Sequence, residues 1–301
     1  NGKITVNQPF YSENINQLTA PNYDGFPLDL YLSPEPVLPV QFSRGCYYKD
    51  CAFCALTLDH QNFRQRDPGK TVDDLVWLKE RYGAQSFFFT DECFALSPTK
   101  RLCQQMIDRQ VNVKWTCELR FEKNLTRELL GQMRDAGCLK IVFGLESFNQ
   151  RVMDFMKKGI KQESVRRIVD DCVDRGIAVH CYVIVGFPTE KEEEALDTMN
   201  FVVGNKKLHE SYGFSCQPCL FDLEKEAPIM SDPGSYGIRR IMRPSAEDLS
   251  LGFFYEVQEG MTPDEAERLY QYVYGRISEV VCELPFNYAM ADGLLYISKA
   301  K

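Results

Sequence analysis

The sequence predicts an α/β fold, in which six parallel strands and the helices between them form an incomplete (βα)6 TIM-like barrel with a helical C-terminal extension. Three observations predict this fold. Short apolar segments alternate with amphipathic stretches between Val37 and Leu220. These segments are apolar on both faces, which is typical of parallel strands covered by helices. Polar residues follow the strands, and they can meet at one mouth only if the sheet curls.

Six segments have the length, composition and flanking turn residues of buried strands. They are Val37–Ser43, Ser86–Thr90, Lys114–Leu119, Ile141–Leu145, Ala178–Val185 and Phe214–Leu220. The stretches between them predict helices. Val165, Ile168 and Cys172 follow the helical repeat, and Gly176 stands where that helix should end. Thr126 is predicted to cap another helix.

After Leu220 the pattern changes to a loop that contains Pro and Gly. We expect two helices after it, near Ser245–Glu259 and Thr262–Glu283, the second of which starts with a capping box. The sequence thus divides into a linker (1–35), a core domain (36–222) and a C-terminal extension (223–301). The linker is rich in Asn, Pro and Tyr and starts without Met, so we expect the natural chain to continue upstream.

The composition is that of an ordinary globular protein. Of the 301 residues, 44% are hydrophobic and 26% are charged. The net charge of −8 argues against a general grip on nucleic acid and against an anionic membrane surface. No apolar run approaches the ~20 residues that span a bilayer. Most of the 12 cysteines lie in helix or strand patterns, which predicts reduced thiols and a cytoplasmic location.

Three cysteines, Cys46, Cys51 and Cys54, lie in one short loop directly after the first predicted strand. Thiolates are soft ligands that suit zinc and iron–sulfur centres. A structural zinc ion needs four protein ligands, whereas a 4Fe-4S cluster held by three cysteines keeps one iron open for another molecule. A zinc site completed by His60 or by a distant cysteine remains the alternative.

Charged residues follow the predicted strands and form a second candidate group. They are Asp91, Glu92, Glu118, Arg120 and Glu146, with Gly186–Glu190 after the fifth strand. Three of them have a structural alternative: Glu118 and Arg120 as an ion pair, and Glu146 as a helix cap. His180 is expected to be a buried histidine with its hydrogen bonds satisfied. Cys216 and Cys219 are expected to pack in the core on opposite faces of a strand.

These motifs resemble those of the radical S-adenosylmethionine (SAM) superfamily. The loop Gly45–Cys54, with Phe53 before its last cysteine, is similar to the family's cluster motif. Gly144–Ser147 with Met156–Gly159 resembles its fourth-strand signature, and Val183–Glu190 resembles its fifth. One departure is the four residues between the first two cysteines, where three are commonest.

The resemblance implies a 4Fe-4S cluster on Cys46, Cys51 and Cys54. It also implies SAM as the second cofactor, cleaved reductively to a 5′-deoxyadenosyl radical. Eight positions are expected to contact SAM, with Phe53 packing on the adenine and Arg120 meeting the carboxylate. These positions are Phe53, Asp91, Glu92, Glu118, Arg120, Glu146, Ile184 and Gly186.

The resemblance is strongest to the cobalamin-dependent members that act in ribosomal-peptide maturation. It is carried by Asp24–Leu28, Tyr31–Pro36, Ser43–Tyr48 and Glu224–Pro228. It implies cobalamin, bound mainly by a preceding domain, and methyl transfer to an unactivated carbon of a peptide or small-molecule substrate. A flavodoxin or ferredoxin-type protein would donate the electron. The alternatives are cobalamin-free oxidative modification of a peptide and a non-catalytic zinc or iron–sulfur module.

Overall fold

The computed structural model describes residues 5, 14–31, 35–56, 63–210, 214–243 and 252–280. The strands in chain order are β1 (Val37–Val40), β2 (Ser43–Arg44), β3 (Arg64–Gln65), β4 (Ser86–Phe89), β5 (Lys114–Leu119), β6 (Cys138–Glu146), β7 (Ala178–Val185), β8 (Ser215–Leu220), β9 (Leu223–Glu224), β10 (Ile238–Met242) and β11 (Gly252–Val257). The α-helices are α1 (Pro68–Tyr82), α2 (Leu96–Asp108), α3 (Arg127–Asp135), α4 (Gln150–Phe155), α5 (Gln162–Asp174), α6 (Glu192–Gly204), α7 (Lys206–Glu210) and α8 (Pro263–Ser278).

Six strands form one parallel sheet in the order β1-β4-β5-β6-β7-β8, which confirms the predicted α/β fold with an incomplete barrel. The order follows the chain because each crossover returns the next strand to the side of the previous one. The carboxyl ends of the strands therefore lie at one rim, which we call the mouth. A hairpin (β2–β3) and an antiparallel sheet (β10-β11-β9) lie outside the barrel sheet.

The two faces of the barrel sheet differ in polarity. Side chains of one parity, such as Trp115 and Phe143, are fully buried in the main hydrophobic core. The opposite parity carries polar residues, among them Thr116, Lys140 and His180, which are also buried. Because strand side chains alternate, the first set packs under the helices and the second lines the inside of the barrel.

The helices begin and end where local sequence specifies. Thr126 caps α3 by accepting a hydrogen bond from the backbone N–H of Leu129. The predicted capping box of Thr262 and Glu265 is present at the start of α8, which confirms that helix and the helical C-terminal region. None of the helices in the described ranges has the length and apolar character to cross a membrane.

Three of the predicted elements need correction. The helix expected near Ser245–Glu259 is wrong where the structure describes it, because Gly252–Val257 is strand β11; residues 244–251 lie outside the described ranges. The first strand ends at Val40, and Ser43 belongs to the hairpin strand β2. Strand β6 begins at Cys138, three residues before the predicted start, and includes the buried Lys140.

Candidate cofactor site

The three cysteines of the loop after β2 are half-buried at the mouth of the barrel. The N–H of Cys54 donates to the carbonyl of Cys51 (3.3 Å), which closes a turn between two of the thiols. A hydrogen bond with Cys93 lowers the pKa of Cys46 to about 6, whereas burial raises that of Cys54 to about 11. Three accessible soft donors on one loop fit a thiolate-held cluster.

The start of the cysteine loop is fastened to the residues that follow β4. Asp91 accepts hydrogen bonds from the backbone N–H of Phe42 (3.0 Å) and of Ser43, and from the Ser43 hydroxyl (2.6 Å). Glu92 accepts from the N–H of Gly45 (3.0 Å). Both predicted SAM-contact carboxylates are therefore directed at the cysteine loop.

The middle of the loop is fastened to the segment after α4. Tyr48 donates from its hydroxyl to the carbonyl of Lys157 (2.8 Å), and a Cβ at Gly159 would collide with that hydroxyl. Ala52 is fully buried and bridges two parts of the chain. Its N–H donates to the carbonyl of Met156 (2.9 Å), and its carbonyl accepts from the N–H of Ile229 (2.8 Å).

Glu146 ends β6 and forms a buried ion pair with Lys158 (3.1 Å). Burial alone would lower the pKa of Lys158, but the charges of Glu146 and Cys51 raise it. A Cβ at Gly144 would lie 2.6 Å from the Glu146 carboxylate, so this glycine provides the room for the pair. Glu146 also has a positive φ of 60°, a strained conformation that is concentrated at functional sites. The helix-cap alternative is wrong, because Asn149 caps α4.

Arg120 lies against the cysteine loop rather than against Glu118. Its guanidinium stacks 3.3 Å from the centre of the Tyr48 ring, and its Nη1 lies 3.8 Å from Cys51 Sγ. Its ion-pair partner is Glu122 (3.4 Å), so the predicted alternative of a Glu118–Arg120 pair is wrong. Burial and the neighbouring carboxylates, Glu146 first, raise the pKa of Glu118 to about 7.

Two further predicted SAM contacts, Ile184 and Phe53, lie at a second, smaller hydrophobic cluster. Ile184 is buried in it, and Phe53 packs against it. Gly186, directly after β7, has a φ of 86°, and a Cβ there would collide with Ala266 of α8. Its N–H donates to the buried carboxylate of Glu190 (2.7 Å). The Gly-Phe-Pro-Thr-Glu signature therefore builds a tight turn that brings α8 against the barrel.

The remaining predictions have mixed outcomes. His180 is buried and shares a hydrogen bond with Ser215 (2.8 Å), but its Nε2 has no protein partner. Cys216 packs against the core, whereas Cys219 is exposed on the other face of β8. Within the described ranges, no three His, Cys, Asp or Glu side chains converge on one ion position. His60, the alternative fourth zinc ligand, lies outside those ranges.

Sequence reasoning missed three residues that complete the site: Lys158, Tyr48 and Cys93. Lys158 stands in the Met156–Gly159 motif, and the following glycine signalled a close backbone approach. Tyr48 lies inside the cysteine loop, where its role depends on a partner 109 positions away. Cys93 resembles any buried cysteine in sequence, so no local pattern distinguishes it.

The protein is therefore an incomplete parallel barrel that places three cysteine thiols at its mouth, beside the charged residues at the ends of its strands. The family model of the radical SAM superfamily matches residues 40–202, more than half of the chain. The chain therefore belongs to the radical SAM superfamily, and that membership implies a 4Fe-4S cluster and SAM.

Two curated relatives match half or more of this chain. An uncharacterized methyltransferase of Pyrococcus horikoshii is 28% identical over 217 residues, which cover 70% of this chain and 46% of the relative. An anaerobic magnesium-protoporphyrin IX monomethyl ester cyclase of Rubrivivax gelatinosus is 30% identical over 52% of this chain and 29% of its own. The chain thus spans half or less of these relatives.

Among solved structures, the radical SAM methyltransferase TsrM from Kitasatospora setae, with cobalamin and a [4Fe-4S] cluster bound, has a similar fold. The TM-score is 0.58 at 19% identity, over 78% of this chain and 47% of that one. At this identity the likeness establishes the fold alone.

Proposed function

We propose that this chain forms the core of a radical SAM methyltransferase that uses cobalamin and methylates an unactivated carbon of a peptide or natural product. The observation that carries the radical SAM part of the proposal is the placement of three half-buried thiols beside the Glu146–Lys158 pair and Arg120. An anionic cluster is stabilised by such neighbouring cations. A flavodoxin or ferredoxin-type protein would supply the electron.

In this proposal Cys46, Cys51 and Cys54 hold the cluster, which supplies the reducing electron for SAM cleavage when it is bound. Glu146 and Lys158 complement the ammonium and carboxylate groups of SAM, because they present one charge of each sign. Glu118, whose pKa is raised to about 7, offers an acceptor for the ribose hydroxyls when it is ionised. Phe53, Ile184 and Gly186 line the adenine side.

The support for cobalamin and for methyl transfer comes from the relatives. A methyltransferase of Pyrococcus horikoshii matches over most of this chain, and the fold matches a solved methyltransferase with cobalamin bound. The negative charge of the chain favours neither nucleic acid nor anionic lipid as the substrate.

A second candidate is an oxidative reaction that transfers no methyl group, and one relative supports it because its name is that of a cyclase and not of a methyltransferase. The cyclase of Rubrivivax gelatinosus is 30% identical over about half of this chain. The cluster and SAM roles proposed above are common to both candidates, so only the product distinguishes them.

The test uses the full-length natural protein, reconstituted without oxygen and assayed with and without cobalamin. We expect stoichiometric iron and sulfide, 5′-deoxyadenosine from SAM, and a methylated product only when cobalamin is present. Deoxyadenosine without methyl product would favour the oxidative candidate. Zinc without acid-labile sulfide, or SAM cleavage that survives Cys46→Ala, Cys51→Ala and Cys54→Ala together, would refute both.

A further inference from the structure

The segment after β4 runs alongside the start of the cysteine loop and contacts it at three consecutive positions. Asp91 holds Phe42 and Ser43, and Glu92 holds Gly45. The thiol of Cys93 is buried next to that of Cys46. Consecutive residues of this segment therefore contact consecutive parts of the chain that leads to the first cysteine of the loop.

Asp91 is the most fully engaged of these residues. Its side chain is 2% exposed, and its two oxygens accept three hydrogen bonds from a single dipeptide. A buried carboxylate is costly to desolvate unless donors surround it. Here the three donors come from Phe42 and Ser43, directly before the cysteine loop, and little surface is left through which a cofactor could reach the carboxylate.

The position of Ser43 bears directly on that of Cys46, because only two residues separate them. Arg44 is held in the β2–β3 hairpin opposite Arg64, and Gly45 turns the chain with a φ of 80°. A displacement of the Ser43 backbone therefore displaces Cys46 as well, because the two residues between them are themselves held in place. By contrast, Cys51 and Cys54 follow the anchor at Tyr48, on the other side of the loop.

We propose that Asp91 is a positioning residue for the iron–sulfur cluster and not a ligand of SAM: it fixes Phe42 and Ser43, and so places the sulfur of Cys46 relative to the other two thiols. The proposal rests on the cluster assignment made above. It replaces the family-based expectation that Asp91 contacts SAM.

The test compares Asp91→Asn and Ser43→Ala in the full-length, anaerobically reconstituted protein. Asp91→Asn removes the charge and one acceptor, and Ser43→Ala removes a single hydroxyl donor. Asp108→Asn is the matched control, because Asp108 is an exposed carboxylate at the end of α2 that accepts only from the Gln104 side chain in the described contacts. Three quantities are measured: iron release to a ferrous chelator, the EPR spectrum of the reduced cluster, and the Kd for SAM of the cluster-loaded fraction.

For Asp91→Asn we expect about tenfold faster iron release, the scale of one lost hydrogen bond to a charged group. We also expect a changed EPR spectrum and a Kd for SAM within about twofold of wild type. Ser43→Ala should change iron release in the same direction by a smaller factor, and the control should match wild type. These results would support a role in holding the cluster.

The opposite pattern overturns the proposal: wild-type iron release and EPR with SAM affinity weakened about tenfold or more would make Asp91 a SAM ligand. If Asp91→Asn does not fold, Ser43→Ala decides alone, and wild-type values in both cluster measurements reject the proposal. Failure of the methyltransferase proposal is distinguishable, since iron release and EPR require only the cluster and not a methylated product.

Discussion

At the mouth of the barrel a buried carboxylate faces a buried ammonium, whereas at the base two buried basic groups share one serine. Glu146 and Lys158 form the pair at the mouth. At the base, the hydroxyl of Ser215 contacts His180 (2.8 Å) and Lys140 (3.2 Å). Burial lowers the pKa of His180 to about 3 and that of Lys140 to about 8. One sheet therefore retains charge at one end and disfavours it at the other.

This difference follows from what each end contacts. At the mouth, carboxylates compensate the buried cations: Glu146 pairs with Lys158, and Glu122 pairs with Arg120. The Arg120 guanidinium also stacks on the Tyr48 ring of the cysteine loop. The base lies where the strands begin, and burial is the first cause of both pKa shifts there. Buried ionisable groups become neutral unless a partner compensates the cost of desolvation.

The largest expected effect comes from breaking the pair at the mouth. Lys158→Met leaves Glu146 buried without its partner, which should lower the free energy of unfolding by about 3–5 kcal/mol. Lys161→Met is the control, because Lys161 and Asp154 form a pair with the same 3.1 Å distance but are 61% and 52% exposed. We expect less than about 0.5 kcal/mol there. Urea denaturation measures both, and equal losses would contradict the contrast.

A pH series tests the base. The folded state keeps His180 neutral to about pH 3, whereas the unfolded chain takes up a proton near the ordinary pKa of 6.5. The stability that neutral His180 contributes to the folded state is therefore present above pH 6.5 and is lost as the pH falls toward 3. His180→Gln removes this pH dependence. Between pH 7 and 5, the free energy of unfolding of the variant should therefore rise by about 2 kcal/mol relative to that of the wild type. Parallel pH profiles of the two proteins in urea denaturation would refute the prediction.

The third prediction concerns the contact between the loop and the barrel, where the expected effect is comparable with that at the base. Gly159→Ala places a Cβ against the Tyr48 hydroxyl at a φ of 64°, which should cost about 1–3 kcal/mol and accelerate loss of the cluster. Gly204→Ala is the control, since its Cβ would meet no atom within 4 Å. Thermal melting and chelator kinetics measure the two effects. Wild-type behaviour of both variants would show that Tyr48 moves away without cost.

The sequence predicted the elements whose signal is local. The apolar runs located all six barrel strands, and Thr262 with Glu265 located the start of α8. The early start of β6 was missed because Lys140 is a charged residue that is buried. The helix expected before Glu259 was wrong in its described part, because the Phe- and Tyr-rich stretch at 252–257 pairs with β10 and β9.

The candidate site was predictable where chemistry is encoded in spacing, as for Cys46, Cys51 and Cys54. Its supporting contacts were not, because they join distant parts of the chain. The partner of Arg120 is Glu122 rather than Glu118, and Tyr48 is seated by Gly159. The directions of the Asp91 and Glu92 carboxylates likewise depend on where the cysteine loop crosses the end of β4.

The two hydrogen bonds of Ala52 have a practical consequence for dissecting the protein. One of them ends on Ile229, nine residues beyond the last barrel strand. A truncated version that stopped after Leu220 would retain every strand of the barrel sheet. It would lose the hydrogen bond from Ile229 to Ala52, which lies between Cys51 and Cys54 in the sequence. The minimal fragment for metallation studies must therefore extend past the apparent boundary of the barrel.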